Sequence, residues 1–289
     1  MARQEKLGFI GLGNMGGPIA LRLLRAGFSM TVLDRMPEKM QPLLREGATA
    51  ATAPAETAER SDIVIASLQA TDVEEVALGE AGIHAAKNAG LVFVDLSSTD
   101  PQLAIKFSAA LRDRGTEMLD SPLSGADIGA TNGRLTLFVG GSYETYQRAL
   151  PVPQCIGRTV TYLGKNGNGQ IGKVINEMMQ SFSQLAIYEG LELAEKLGLD
   201  LKMFARAASA GCAQTWRLDE LVNGAFNLGE KKFRLNLRPE RTGRAINMAA
   251  GGTLPGAEAM HRIFTDCGWK VAIDFDASKV TAGTKKPSG

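Results

Sequence analysis

Histidine is nearly missing from this chain of 289 residues, which has only His84 and His261. His84 lies in AGIHAAKNAG ahead of a strand-like run, and His261 lies on a late helical segment, so neither sits in a pocket motif. An imidazole–carboxylate dyad for moving a hydroxyl proton therefore has little to be built from. Cysteine is scarce too: Cys155, Cys212 and Cys267 are odd in number and far apart. That pattern excludes a disulfide framework and suits free thiols in a reducing cytosol, each expected as a small buried hydrophobe. No metal site is expected. A surplus of either charge is also lacking, with 32 Lys and Arg against 31 Asp and Glu. No net field draws a polyanion, so nucleic acid is not an expected partner. No apolar run reaches the roughly 18 residues that span a bilayer, and MARQEKLGFIGLGNMG lacks the features of a secretory signal. A cytoplasmic protein without a membrane partner is expected.

What is present is ordinary globular material, 44% hydrophobic and 22% charged, enough for one large or two ordinary domains. Short apolar runs alternate with helix-like segments up to about Leu163: LGFI at 7–10, TVLD at 31–34, DIVIAS at 62–67, LVFVD at 91–95, TLFVG at 136–140 and TVTYL at 159–163. That rhythm predicts βαβ units and a doubly wound, mostly parallel sheet. After KNGNG at 165–169 the character changes. Residues 170–197 contain no proline and, past the first turn, one glycine, Gly190, which predicts a single helix of roughly 40 Å. Ile171, Val174, Ile175, Met178, Phe182 and Leu185 form its expected core stripe, with Lys173, Asn176, Glu177, Gln180 and Gln184 on a polar one. Further helices are expected at about 201–211, 214–223, 240–250 and from Pro255. The expected domains are thus 1–165, dinucleotide-binding, and 166–289, an all-α substrate and dimerisation domain. The second begins with a long interdomain helix over 166–197 and ends in a frayed tail at 283–289.

Gly11-Leu12-Gly13-Asn14-Met15-Gly16 follows the first strand and opens a helix with an apolar face at Ile19, Leu23 and Leu24. In that context the loop amides and helix N-terminus form a pyrophosphate cradle, the Rossmann arrangement. Asp34, at the end of the second strand, can accept both ribose hydroxyls and repel a 2′-phosphate, which favours NAD. Arg35 beside it can instead pair with the 2′-phosphate of NADP, so both cofactors stay open with NAD slightly ahead.

Four separated motifs agree in order with the β-hydroxyacid dehydrogenase family, which the whole chain resembles. They are GFIGLGNMGGPIA at 8–20, DLSSTDP at 95–101, DSPLSGADIGATNGRLTLFVGG at 120–141 and GNGQIGKVIN at 167–176. The resemblance implies a homodimer or homotetramer acting on a small molecule, with Leu68 and Ser98 near the cofactor. It implies further that Ser124, Gly125 and the next residue hold a substrate carboxylate, that Lys173 exchanges the substrate proton, and that Trp216 lines the pocket. Departures are visible. Ala126 stands where a second glycine is usual, Glu177 where an amide is usual, and Glu240-Arg241 where a Lys-Asp pair is usual after Phe233. These bear on substrate class rather than on fold.

The chemistry of the residues agrees. Lys173 sits one turn into the long helix, facing the cleft expected between the domains, and desolvation can adapt an amine to proton transfer. Asn176 is expected to orient Lys173 or to pack between the domains. Glu177, four residues on, either lies beside Lys173 and favours its charged form or turns to Arg241 or solvent. Ser124-Gly125 either offers donors to a carboxylate or is a plain turn. The expected activity is reversible, NAD(P)-dependent oxidoreduction of a small 3-hydroxy acid or its semialdehyde. The alternatives are reduction of another carbonyl or an imine, and a non-catalytic dinucleotide-binding module for assembly or regulation. Phosphogluconate-type decarboxylation is disfavoured, because that branch carries His-Asn where Asn176-Glu177 stands.

Overall fold

The computed structural model describes residues 5–225, 232–236, 239–249, 252–266 and 272–276. The strands are β1 (Leu7–Ile10), β2 (Met30–Leu33), β3 (Thr49–Ala50), β4 (Ile63–Ala66), β5 (Val92–Asp95), β6 (Glu117–Asp120), β7 (Leu123–Ser124), β8 (Leu135–Gly140) and β9 (Gly157–Gly164), followed by β10 (Lys232–Asn236) and β11 (Ala272–Asp276). The first nine form one sheet in the order β3-β2-β1-β4-β5-β6-β8-β7, with β9 on β8. From β3 to β6 every pairing is parallel. This is the doubly wound order whose ligand site lies at the carboxyl ends of the strands.

Central strands of such a sheet are covered on both faces, which is why they read as unbroken apolar runs. Each residue of β1, β4 and β5 is buried. Successive side chains then alternate between two cores. Phe9, Ile63, Ile65, Val92 and Val94 join the first helix, Gly16–Arg25, through Ile19 and Leu23. Ile10, Val64, Ala66 and Phe93 join the helix Pro101–Arg112 through Phe107 and Leu111. Burying a phenylalanine such as Phe93 contributes roughly 2–3 kcal/mol. The helix over it starts cleanly, because Pro101 needs no amide partner and the Asp100 carboxylate accepts from Gln102 N at 2.8 Å.

Two compact units are present, Met1–Lys173 and Val174–Gly289. The first unit runs through Lys173, into the long helix Asn168–Lys196. Its first turn belongs to the first unit because the strand ends hold it, as shown below. The second unit is helical, with Leu201–Ala210, Trp216–Glu220, Pro239–Met248 and Pro255–Asp266. Ile187, Leu191, Leu201, Ala205, Leu218 and Leu221 form its core. It also carries a ribbon the periodicity did not indicate, β10 antiparallel to β11.

Two expectations need correction. The long helix is not split into an apolar buried face and a polar open one. Gln170, Lys173, Glu177, Ser181 and Gln184 are all buried, whereas Ile175 and Met179 are exposed. A polar stripe tolerates burial when its groups find partners; those of Gln170 and Glu177 come from elements distant in sequence, and Ser181 bonds Glu177 O one turn back. Nor are the cysteines uniformly buried. Cys155 is half-buried and Cys212, in the turn after Leu201–Ala210, is exposed. Cys267 and the tail at 283–289 lie outside the described residues. Among the described residues no helix is long and apolar enough to cross a membrane.

Candidate active site

The glycine loop leaves β1 and enters Gly16–Arg25. Its three glycines have three different surroundings. Gly11 has φ +90°, and a side chain there would collide with Ser67 O and Leu68. At Gly16 a Cβ would overlap Gly11 O, so only glycine lets helix and loop close. At Gly13 a Cβ would meet nothing within 4 Å, which leaves the open space a pyrophosphate needs above the loop. The helix that follows has no side-chain cap at Met15, so its first amides are not taken by a capping side chain. Leu12 is buried, Met15 half-buried and Asn14 exposed. These residues fit a dinucleotide.

At the end of β2, Asp34 is held in place by two backbone donors, Leu12 N to Oδ2 at 2.6 Å and Met36 N to Oδ1 at 2.9 Å. Its carboxylate is thereby tied to the glycine loop. Arg35 is 79% exposed and lies 3.5 Å from Asp72. The next strand ends add to the same edge. Leu68 N, after β4, donates to Ser97 Oγ at 3.0 Å, and Ser98 is half-buried beside it.

Asp95 and Asp120 close β5 and β6 in register, both fully buried. Their surroundings differ. Asp120 accepts Gly167 N at 2.8 Å on Oδ1 and Gln170 N at 3.1 Å on Oδ2, the open amides at the start of the long helix. Asp95 accepts Ser97 N at 2.9 Å on Oδ1, while its Oδ2 has no partner among the described residues. Burial pushes the Asp95 carboxyl up to about 7, the Ser97 hydrogen bonds oppose the rise, and the neighbouring Asp120 charge adds to it. Burial also raises Asp120, against the pull of the helix amides. Sequence reasoning did not single out either carboxyl as a candidate. The available signal was an acidic residue ending an otherwise apolar strand.

Gln170, 1% exposed, was missed as well. Its Oε1 accepts Thr99 N at 3.1 Å and its Nε2 donates to Ser97 O at 2.8 Å. One turn later comes Lys173, 8% exposed. Ser124 lies in β7 opposite Thr136, half-buried, and Gly125 follows at φ +134°, where a side chain would be strained. Ala126 opens the helix Ala126–Asn132. The first unit therefore contains the glycine loop, Asp34, Leu68, Ser98, Ser124, Gly125 and Lys173.

In the second unit Asn176 is half-buried, and Glu177 is 6% exposed with its Oε2 accepting Arg244 Nη2 at 2.8 Å. Arg244 is a partner the sequence did not indicate. Trp216 is 56% exposed, with the Arg217 guanidinium 5.7 Å from its ring centroid. The side chains of Phe233, Glu240 and Arg241 lie outside the described residues.

Comparison with known proteins agrees with this geometry. The family model described as the NAD binding domain of 6-phosphogluconate dehydrogenase matches residues 6–164. A second, described as NAD-binding of NADP-dependent 3-hydroxyisobutyrate dehydrogenase, matches 167–267. The chain is 34% identical over 280 residues to 2-hydroxy-3-oxopropionate reductase of Escherichia coli, covering 94% of each. It is 34% identical over 216 residues to NAD-dependent L-serine dehydrogenase of Pseudomonas aeruginosa, covering 74% of this chain and 72% of the relative. Among solved structures, a Mycobacterium tuberculosis 3-hydroxyisobutyrate dehydrogenase with L-serine superposes with a TM-score of 0.81 at 28% identity, covering 96% and 98% of the two chains. With Gly11, Gly13, Gly16 and Asp34 in an arrangement that fits a dinucleotide, and with relatives matched along nearly its whole length, the chain belongs to the β-hydroxyacid dehydrogenase family and is an NAD(P)-dependent oxidoreductase.

Proposed function

We propose that the enzyme interconverts a small 3-hydroxy acid and its semialdehyde, with Lys173 exchanging the proton and Ser124 and Gly125 binding the substrate carboxylate. The observation that carries this reading is the placement of Lys173. It is a buried amine one turn after Gln170, on a helix start that Asp120 and Gln170 fasten to the strand ends where this fold binds ligands. The bound nicotinamide supplies the hydride in reduction and takes it up in oxidation. As an ammonium, Lys173 gives a proton to the carbonyl oxygen while it becomes a hydroxyl. As an amine, it removes that proton in the reverse direction. Ser124 offers a hydroxyl, and the turn at Gly125 offers backbone amides. The relatives named for 2-hydroxy-3-oxopropionate and L-serine support a three-carbon acid as substrate.

NAD is the favoured cofactor in this proposal. The Asp34 carboxylate is fixed on the loop where a 2′-phosphate would meet its charge, while Arg35 is drawn towards Asp72. We also assign a homodimer or homotetramer, supported by the exposed apolar side chains Ile175, Met179, Leu193, Leu197 and Met203 of the second unit. Sedimentation equilibrium tests this, and a monomer throughout the micromolar range rejects it. The free thiol of Cys212 fits the reducing, cytosolic setting expected.

The activity is tested by absorbance at 340 nm, using NAD, NADP and their reduced forms against 3-hydroxy acids, semialdehydes and cyclic imines. Lys173→Ala should lose about 10²-fold or more in turnover while still binding cofactor. Turnover confined to the imines would replace the hydroxy-acid reading, and undiminished turnover in the variant would remove Lys173 from the mechanism.

A further inference from the structure

We propose that Gln170 and Asp120 are positioning residues for Lys173, clamping the first turn of the long helix to the carboxyl edge of the sheet. The inference rests on the assignment of Lys173 to proton transfer. A helix start leaves its first amides unsatisfied, and two of them, Gly167 N and Gln170 N, end on the two oxygens of one buried carboxylate, Asp120. Two glycines make room for that approach. A Cβ at Gly140 would lie 2.7 and 2.8 Å from the Asp120 oxygens, and one at Gly169 would collide with the carbonyls of Asp120 and Phe138.

The Asp120 contacts fix where the helix begins. Gln170 adds a side-chain restraint farther from the helix axis. Its amide group engages Thr99 N and Ser97 O on the segment after β5, and three residues later on a neighbouring face stands Lys173. Ser97 in turn accepts Leu68 N from the segment after β4. One hydrogen-bonded chain thus runs from the cofactor edge at Leu68 through Ser97 and Gln170 to the helix that carries Lys173. An amide side chain suits this. Gln carries its neutral acceptor and donor on separate atoms, which lets one side chain engage Thr99 N and Ser97 O at the same time.

The test compares the full-length parent with Gln170→Ala, Gln170→Glu and Lys173→Ala, using L-serine and 3-hydroxyisobutyrate with NAD. Gln170→Ala should lower kcat by about tenfold or more, as an ångström-scale misplacement does, with KM little changed and the NAD Kd within about twofold. Gln170→Glu should be poor at neutral pH, where a carboxylate faces Ser97 O with Asp95, Asp120 and Lys173 the charged or titratable groups around it. It should recover towards pH 5, as the protonated acid regains a donor. A residue that only supports folding would not give this rescue.

Amide hydrogen exchange provides a readout that needs no turnover. In Gln170→Ala, residues 167–173 should exchange about tenfold faster while the strands β1, β4 and β5 stay at parental rates. Parental kcat, or parental exchange at 167–173, would overturn the clamp. Lys173→Ala should abolish turnover with protection at 167–173 intact. Full turnover there would overturn the proton-transfer reading instead, so the two failures are told apart.

Discussion

Asp95→Asn should make the protein more stable in mildly alkaline solution and leave it nearly unchanged only below about pH 4. Native Asp95 is fully buried beside Asp120 and keeps its proton up to about pH 7, against an ordinary 3.8 for the unfolded chain. Between those values the native state binds more protons than the unfolded one, so stability falls as pH rises. The contribution is complete below about pH 4 and gone once the pH has passed about 7. At about 1.4 kcal/mol per pH unit, the full span from 3.8 to about 7 corresponds to roughly 4 kcal/mol, an upper figure for a site that relaxes when it ionises. Asparagine copies the protonated acid. Its Oδ1 can accept Ser97 N as Asp95 does at 2.9 Å, and its NH2 occupies the place of the O–H.

The assay is urea unfolding of parent and variant at pH 5, 6, 7 and 8 at fixed ionic strength without cofactor. The variant's advantage should grow with pH to roughly 2–4 kcal/mol at pH 8, which in a melting experiment is about 4–12 °C. Asp120 is raised in the same direction and its charge is one cause of the Asp95 shift, so the difference between the two proteins includes the relief of that repulsion. Parallel stability curves from pH 5 to 8 would refute the reasoning, since they would mean that Asp95 is already ionised in the native state at pH 5.

Three further outcomes are expected. Gly13→Ala should leave stability within about 1 kcal/mol of the parent yet weaken NAD binding, whereas Gly16→Ala, whose Cβ would overlap Gly11 O, should destabilise by at least about 2 kcal/mol; thermal melts and cofactor fluorescence titration separate the two. Asp34→Ala frees Leu12 N and Met36 N and should raise the NAD Kd by about 10-fold while narrowing the preference over NADP, and an unchanged ratio of the two Kd values would remove Asp34 from cofactor choice. Arg244→Met strips a cation from buried Glu177 and should cost about 1–3 kcal/mol, less than for a fully buried pair because Arg244 is partly solvated; adding Glu177→Gln should restore most of it, and additive losses in the double variant would show that the pair is not coupled.

Features that depend on neighbours in sequence could be read directly. The apolar run of β1, the spacing of Gly11, Gly13 and Gly16, and the acidic residue after β2 are all local features. What escaped reading was pairing over distance. Gln170 meets Ser97 across 73 residues and Glu177 meets Arg244 across 67. β10 finds β11 from the far side of two helices. The two-residue β3 is too short to show a period. The same limit explains the long helix. Hydrophobic periodicity assigns the apolar stripe to the core by default, and Val174, Ile187 and Leu191 are buried, but polar Gln170 and Glu177 are buried as well because Ser97, Thr99 and Arg244 supply hydrogen bonds from a distance.

The two strand-end carboxylates show why residue identity alone was not enough. Asp95 and Asp120 end adjacent parallel strands, in register and equally buried, and two such charges side by side would repel strongly in a medium of low dielectric constant. Their second neighbours separate them. Asp120 receives two amides and the positive end of the long helix, which favour its ionised form. Asp95 has one oxygen bonded to Ser97 and the other unmet among the described residues, and so takes the neutral form up to about pH 7. The helix start that carries Lys173 is thus held by the charged member of the pair. Removing that charge with Asp120→Asn would place an NH2 group against an amide donor, so unlike Asp95→Asn it should loosen residues 167–173 at every pH.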